Sequence, residues 1–164
     1  MSLLSIIEVA APLRHTLAEC VPDLRHCCRD RWVVIGSAAT WLAGATLRVA
    51  DVDVLTSTRD AQALIEHWQD RRLSTGQAVD NERFRSHFAR FAFSGLPVEV
   101  IGDLEVYDGR GWRRILIDEI VTARIDGLEI PIPSGAEQIR LLRLFGRDKD
   151  LQRAAWLAPK DNPA

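Results

Sequence analysis

The sequence predicts an α+β domain in which helices pack on a mixed β-sheet, with helical segments added at the N- and C-terminal ends. Three observations lead there. A strand, helix, strand, helix alternation runs from residue 31 to about 72, the hydrophobic period changes to two from Phe84, and the stretch beyond Ser134 returns to helical spacing. At 164 residues and 47% hydrophobic content, the chain carries enough apolar material for a core. Residues 1–164 are therefore expected to form a single domain, with its core over about 31–157 and an N-terminal helical segment over 1–24.

Residues 2–10 and 13–20 have helical composition, with a break expected at Pro12 and an end at Val21-Pro22-Asp23. Arg31-Trp-Val-Val-Ile35 is a short β-branched run that reads as a buried strand; residues 38–43 follow as a helix, with Gly44 as its stop. A second strand is expected over 49–55. Thr58-Arg-Asp60 opens a helix whose apolar positions Ala61, Leu64, Ile65 and Trp68 share one face, ending near Arg71-Arg72. From Phe84 the residues alternate, and Ser94-Gly-Leu-Pro97 reads as a turn into a strand over 98–101. Further short strands are expected at 115–117 and 128–132, the latter an edge because of Pro131 and Pro133. A helix starts at Ser134 or Gly135 and runs through Phe145, and a last helix spans 148–157.

Chemistry concentrates in two places. Gly36-Ser37 ends the first strand at the start of a helix, where backbone N–H groups are unpaired and suit an anion. Gly36 lets a phosphate approach the backbone, and Ser37 caps the helix or donates its hydroxyl to a phosphate oxygen. Asp51-Val-Asp53-Val54 then places two carboxylates on one side of a strand and two valines on the other. Paired carboxylates call for a hard cation such as Mg²⁺, whose remaining positions go to water and substrate phosphates. The same acids would also suit the solvated face of an edge strand.

Taken in order, Gly36-Ser37, Asp51-Val-Asp53-Val54 and the later Val98-Glu99-Val100 resemble the polymerase-β-type nucleotidyltransferase superfamily. The stretch from Ile132 to Asp150, closing on Arg147-Asp-Lys149-Asp150, is similar to the small bacterial AbiEii-like members. The sequence departs from that pattern at Arg143, where many relatives carry lysine. The resemblance covers about residues 31–157 and implies an enzyme that moves a nucleoside monophosphate from an NTP such as ATP to a hydroxyl acceptor. It implies Asp51, Asp53 and Glu99 as catalytic, metal-binding residues for Mg²⁺ or Mn²⁺, and Gly36, Ser37 and Lys149 as nucleotide contacts. The acceptor would be a tRNA end, a protein or a small molecule, and a partner protein or a homodimer fits so short a chain. The alternative it leaves open is a non-catalytic nucleotide- or partner-binding module on the same fold, such as one half of a toxin–antitoxin pair.

A net charge of −2 gives no global attraction to nucleic acid or to an anionic membrane, so any polyanion must be held by a local patch. No apolar run is long enough to cross a bilayer, and Met1–Glu8 lacks the basic start of a secretory signal, so a cytoplasmic location is expected. Three cysteines, Cys20, Cys27 and Cys28, are an odd number without zinc-ligand spacing, which argues against a disulfide framework and a zinc site. Arg83, Arg85, His87 and Arg90 interleave with Phe84, Phe88 and Phe91, a pattern that fits either a grip on RNA or triphosphate or the solvated face of an amphipathic strand.

Overall fold

The computed structural model describes residues 3–73 and 82–159. Its elements run α1 (Leu3–Cys27), β1 (Val33–Ile35), α2 (Gly36–Leu42), β2 (Val52–Thr56), α3 (Thr58–His67), a 3₁₀ turn at Gln69–Arg71, β3 (Phe84–Phe91), β4 (Val98–Tyr107), β5 (Trp112–Arg114), β6 (Ile120–Ile125), β7 (Leu128–Pro133), α4 (Gly135–Phe145) and α5 (Asp148–Leu157). The architecture is α+β, as expected from the sequence.

The main sheet is mixed, in the order β1-β2-β4-β3. β2 and β4 run parallel, while β1 with β2 and β3 with β4 are antiparallel. β3 follows one flank of β4; β2 and then β5 share the other. The β4 backbone bulges near Asp103, which sits at φ +46 and accepts a hydrogen bond from the Thr58 N–H at 3.0 Å. The bulge carries Leu104 and Val106 to the face opposite Val98 and Val100. One apolar cluster therefore lies between the sheet and α1 and α3, and a second lies on the other face under α4.

α1 continues through both prolines, against the expected break at Pro12 and end at Pro22. Leu13, Leu17, Cys20, Val21 and Leu24 fall at helical spacing and are at most 1% exposed. Each interior proline costs about 3 kcal/mol, whereas each large apolar side chain on that stripe contributes roughly 1.5–3 kcal/mol when buried. Packing outweighs the local preference. α1 is also stapled to the β3–β4 turn: the Thr16 hydroxyl donates to the Leu96 carbonyl at 2.9 Å and accepts from the Leu96 N–H at 2.6 Å.

Other expectations shift by a few residues. The segment 115–117 is not a strand; Ile115 and Ile117 are buried, Leu116 is exposed, and the Leu116 carbonyl accepts from Arg140. Two strands lie outside the expected ones, β5 just ahead of 115–117 and β6, which forms a separate hairpin with β7. Its turn is Asp126-Gly127 at φ +50 and +79, the backbone that a two-residue Asp-Gly hairpin demands. α4 begins after Ser134, whose hydroxyl accepts from the Glu137 N–H, and ends at Gly146 with φ +69.

Gly95 meets α1 so closely that a Cβ there would lie 2.0 Å from the Pro12 carbonyl oxygen. Gly95→Ala is therefore expected to destabilise the fold by about 2 kcal/mol or more, read as a fall of roughly 5 °C or more in Tm. An unchanged melting curve would show that α1 is not seated on this turn.

Candidate active site

The sheet sets the geometry of the acids. Ile35 pairs with Asp53 across β1 and β2, Asp53 with Glu99 across β2 and β4, and Glu99 with Arg90 across β4 and β3. One row of the sheet therefore reads Ile35, Asp53, Glu99, Arg90. Val52 and Val54 turn to the opposite face and are fully buried. Asp51 stands one residue ahead of β2, so the loop before the strand places it, rather than the strand alternation expected from the sequence. Even so, Asp51, Asp53 and Glu99 each present an oxygen, and the three lie within 4.8 Å of one another.

Asp53 is the constrained member. Its Oδ1 is enclosed without a hydrogen-bond partner. Burial, and then the nearby Asp51 and Glu99 carboxylates, push its carboxyl well above the usual range, while Arg147 pulls the other way. Gly36 makes room for it: a Cβ at that position would lie 2.6 Å from Asp53 Oδ2, and the Gly36 backbone is at φ +69. The glycine needed for the turn into α2 is thus also the glycine needed to seat the aspartate.

Ser37 is not the helix cap. The cap position of α2 is Ile35, without a side-chain bond, and Ser37 lies inside the first turn, because the left-handed glycine turns β1 straight into the helix. The expected helix and strand bounds there move accordingly. α2 is held by Gln138, a cleft-lining residue that sequence reasoning missed. Its amide donates to the Ala39 carbonyl at 3.4 Å and the Pro133 carbonyl at 3.0 Å, and the Thr40 hydroxyl lies 3.0 Å from its Oε1.

A cleft of about 860 Å³ opens over this row. Gly36, Ser37, Asp51, Asp53, Glu99 and Lys149 all line it, so the structure brings every predicted site residue to one place. β3 supplies Phe84, Ser86, Phe88 and Arg90 as a wall, and α4 supplies Leu141, Leu142 and Phe145. Arg48, Arg147 and Arg153 also line it. Only one signal in the sequence pointed to Arg153: it lies four residues after Lys149, on the same side of α5. Arg143 is exposed and does not line the cleft.

The start of α5 carries an ion pair whose acid is buried. Arg147 grips Asp150 with two nitrogens, at 2.5 and 3.0 Å, and the Asp150 side chain is only 3% exposed. The Arg147 guanidinium also lies 5.0 Å from the centre of the Phe84 ring. The basic stretch on β3 divides between two faces. Arg90 turns to the cleft and donates to Glu99 Oε1 at 2.6 Å, Arg85 pairs with Glu105, and His87 meets Gln62. Arg83 donates to the Phe145 carbonyl.

The donor set fits a hard divalent cation. Three carboxylate oxygens lie within reach of one another, one enclosed oxygen has no proton donor, and neither aspartate has an ion-pair partner among the described residues. Cys20, Cys27 and Cys28 are free thiols, and burial pushes Cys20 up to about 12.

Solved structures with the same architecture decide the fold. A Thermotoga maritima protein provisionally assigned as a nucleotidyltransferase superposes with a TM-score of 0.69 at 22% identity, over 90% of this chain and 94% of that one. The fold is that of the nucleotidyltransferases. Two more distant neighbours share this nucleotidyltransferase fold. Lincomycin-bound LnuA, a lincosamide antibiotic adenylyltransferase, has a TM-score of 0.52 at 13% identity, over 87% of this chain and 97% of its own. An antigenic nucleotidyltransferase-like protein of Paracoccidioides brasiliensis also has a TM-score of 0.52, at 16% identity, over 92% of this chain and 75% of that one. No family model and no curated protein matches the sequence. Among the described residues, no helix is long and apolar enough to cross a membrane.

The raised Asp53 carboxyl sets the sign of a pH effect. Between the ordinary aspartate range and its folded-state value, the folded chain keeps a proton that the unfolded chain has lost, so its contribution to stability falls as pH rises. In metal-free buffer Asp53→Asn should therefore melt higher than the wild type at pH 8, with the gain shrinking towards pH 4. Divalent cation should raise the Tm of the wild type and not that of the variant. A variant that melts lower at pH 8 would refute the constrained-acid reading.

Proposed function

We propose that the protein is a metal-dependent nucleotidyltransferase that moves a nucleoside monophosphate from an NTP to a hydroxyl acceptor. The observation that carries this is the convergence of Asp51, Asp53 and Glu99 beside Gly36-Ser37 in a single cleft. Transfer at a phosphoryl centre asks the protein mainly for positioning and for charge stabilisation. Asp51, Asp53 and Glu99 would hold Mg²⁺ or Mn²⁺. When bound, the ion neutralises charge on the transferring phosphate and makes a hydroxyl a better nucleophile.

The chain's own groups do the rest. Ser37 and the neighbouring amides of α2 take phosphate oxygens, where the missing Cβ of Gly36 lets them come close. α2 has seven residues, so these are local hydrogen bonds rather than the field of a long helix. Lys149, with Arg48 and Arg153, has no ion-pair partner among the described residues and lines the same cleft; the three supply charge for the triphosphate. Glu99, at the β3 side of the row, stands where an acceptor hydroxyl would be deprotonated. The apolar wall of Phe84, Phe88, Leu141 and Phe145 excludes water and receives a base or the body of an acceptor.

The cleft volume falls within the range of small-molecule sites. A small acceptor has a precedent on this fold in LnuA, an antibiotic adenylyltransferase that holds lincomycin. The narrower AbiEii-like affinity is part of the same reading, since the Arg147–Asp150 segment that carries it forms one wall of the cleft.

Label transfer from each α-³²P-NTP onto pools of RNA, protein and small hydroxyl compounds tests the proposal. Asp51→Asn and Asp53→Asn should each lower turnover by on the order of a thousandfold. Ser37→Ala should chiefly raise KM for the nucleotide. Nucleotide binding without transfer to any pool would identify a binding module instead.

A further inference from the structure

We infer that Arg90 couples metal binding to nucleotide binding: before nucleotide arrives it holds Glu99, and it exchanges that carboxylate for the phosphates of the incoming nucleotide. The inference rests on the nucleotidyl-transfer reading above and concerns how the same site is regulated. Its basis is the row across the sheet. Glu99 has Asp53 in register on one side and Arg90 on the other, and the Arg90 guanidinium donates to Glu99 Oε1 at 2.6 Å. One carboxylate is therefore contested by two positive groups, the guanidinium and the divalent ion that the acid cluster is built to hold.

Like charges at such separations repel by an amount that partial burial does not screen away. A metal ion arriving alone must either share Glu99 with Arg90 or displace it. Displacement is open to Arg90 because its grip is light. The side chain is 40% exposed and Glu99 is its one side-chain partner among the described residues, whereas Arg147 in the same cleft is locked by two bonds to the buried Asp150. A polyphosphate offers the guanidinium a bidentate partner of higher charge than a carboxylate. Once Arg90 has moved, Glu99 is free for the metal and a positive charge has left the cluster. Because coupling between two ligands is reciprocal, Arg90 both resists metal alone and attracts polyphosphate alone, so the two are favoured together.

Two binding measurements test this without any turnover. Mn²⁺ is titrated against the protein and free Mn²⁺ is read by its electron paramagnetic resonance signal; inorganic tripolyphosphate is titrated by calorimetry in EDTA. Arg90→Ala is expected to bind Mn²⁺ about tenfold tighter and tripolyphosphate about tenfold weaker than the wild type, while Arg90→Lys, which keeps the charge but not the bidentate fork, stays near the wild type for Mn²⁺ and falls between the two for tripolyphosphate. Should Arg90→Ala not fold, Arg90→Gln carries the same expectation. Mn²⁺ binding that is unchanged or weaker in the neutral variant overturns the inference, as does unchanged tripolyphosphate binding. Asp53→Asn separates this from failure of the functional reading. If that substitution leaves Mn²⁺ affinity intact, the metal site itself is wrong and the inference falls with it. If it abolishes Mn²⁺ binding while Arg90→Ala behaves as wild type, only the coupling falls.

Discussion

Three carboxylates held within 4.8 Å of one another are an electrostatic liability that the rest of the molecule is arranged to sustain. Burial first, and then repulsion from the neighbouring carboxylates, raises the Asp53 carboxyl well above the usual range. Its enclosed oxygen has no donor, which costs on the order of 1–3 kcal/mol for a buried polar atom. Native folds carry such costs where the strained group has a use, and marginal stability means the cost must be offset by packing elsewhere. Here the two apolar clusters on either face of the sheet provide that offset.

The scaffold fixes the acids by long-range contacts rather than by local structure. Parallel pairing of β2 with β4 sets Asp53 against Glu99, and those strands are joined through α3 and the β3–β4 hairpin. α3 is anchored by Asp60, whose carboxylate accepts from the N–H groups of Arg29 and Asp30 just ahead of β1. Gln138 on α4 clamps α2 through the Ala39 carbonyl and the Thr40 hydroxyl. A shift of one residue between β2 and β4 would turn Glu99 to the apolar face, so register and chemistry are the same constraint.

What could be seen in the sequence follows from this division. The Gly36-Ser37 corner, the alternation of Asp53 with Val52 and Val54, the hairpin through Gly95 and both C-terminal helices are local patterns, and each is found where it was expected. The continuous α1 was hidden because proline is a local signal and the buried stripe that overrides it is a tertiary one. β6 was missed although Asp126-Gly127 announces its hairpin. Asp51 reached its place by a loop, and the roles of Gln138 and Arg90 depend on partners far away in the chain or on another strand. No spacing rule encodes those.

The cations of the cleft divide into three kinds: Arg147 is locked, Arg90 is held by Glu99 alone, and three others are unpaired among the described residues. Arg147 is committed to the buried Asp150 and to the face of Phe84, so it serves as structure, tying α5 to the end of α4 and to β3. Arg48, Lys149 and Arg153 line the same space with no ion-pair partner among the described residues. Lys149 and Arg153 are one helical turn apart on α5, so the buried capping pair that starts the helix also aims them. A helix that closes the fold through one arginine also brings two further cations to the cleft over the acid row. On the nucleotidyl-transfer proposal, an anion held between these three cations and an ion on the carboxylates would carry several charges along its length, as a triphosphate does.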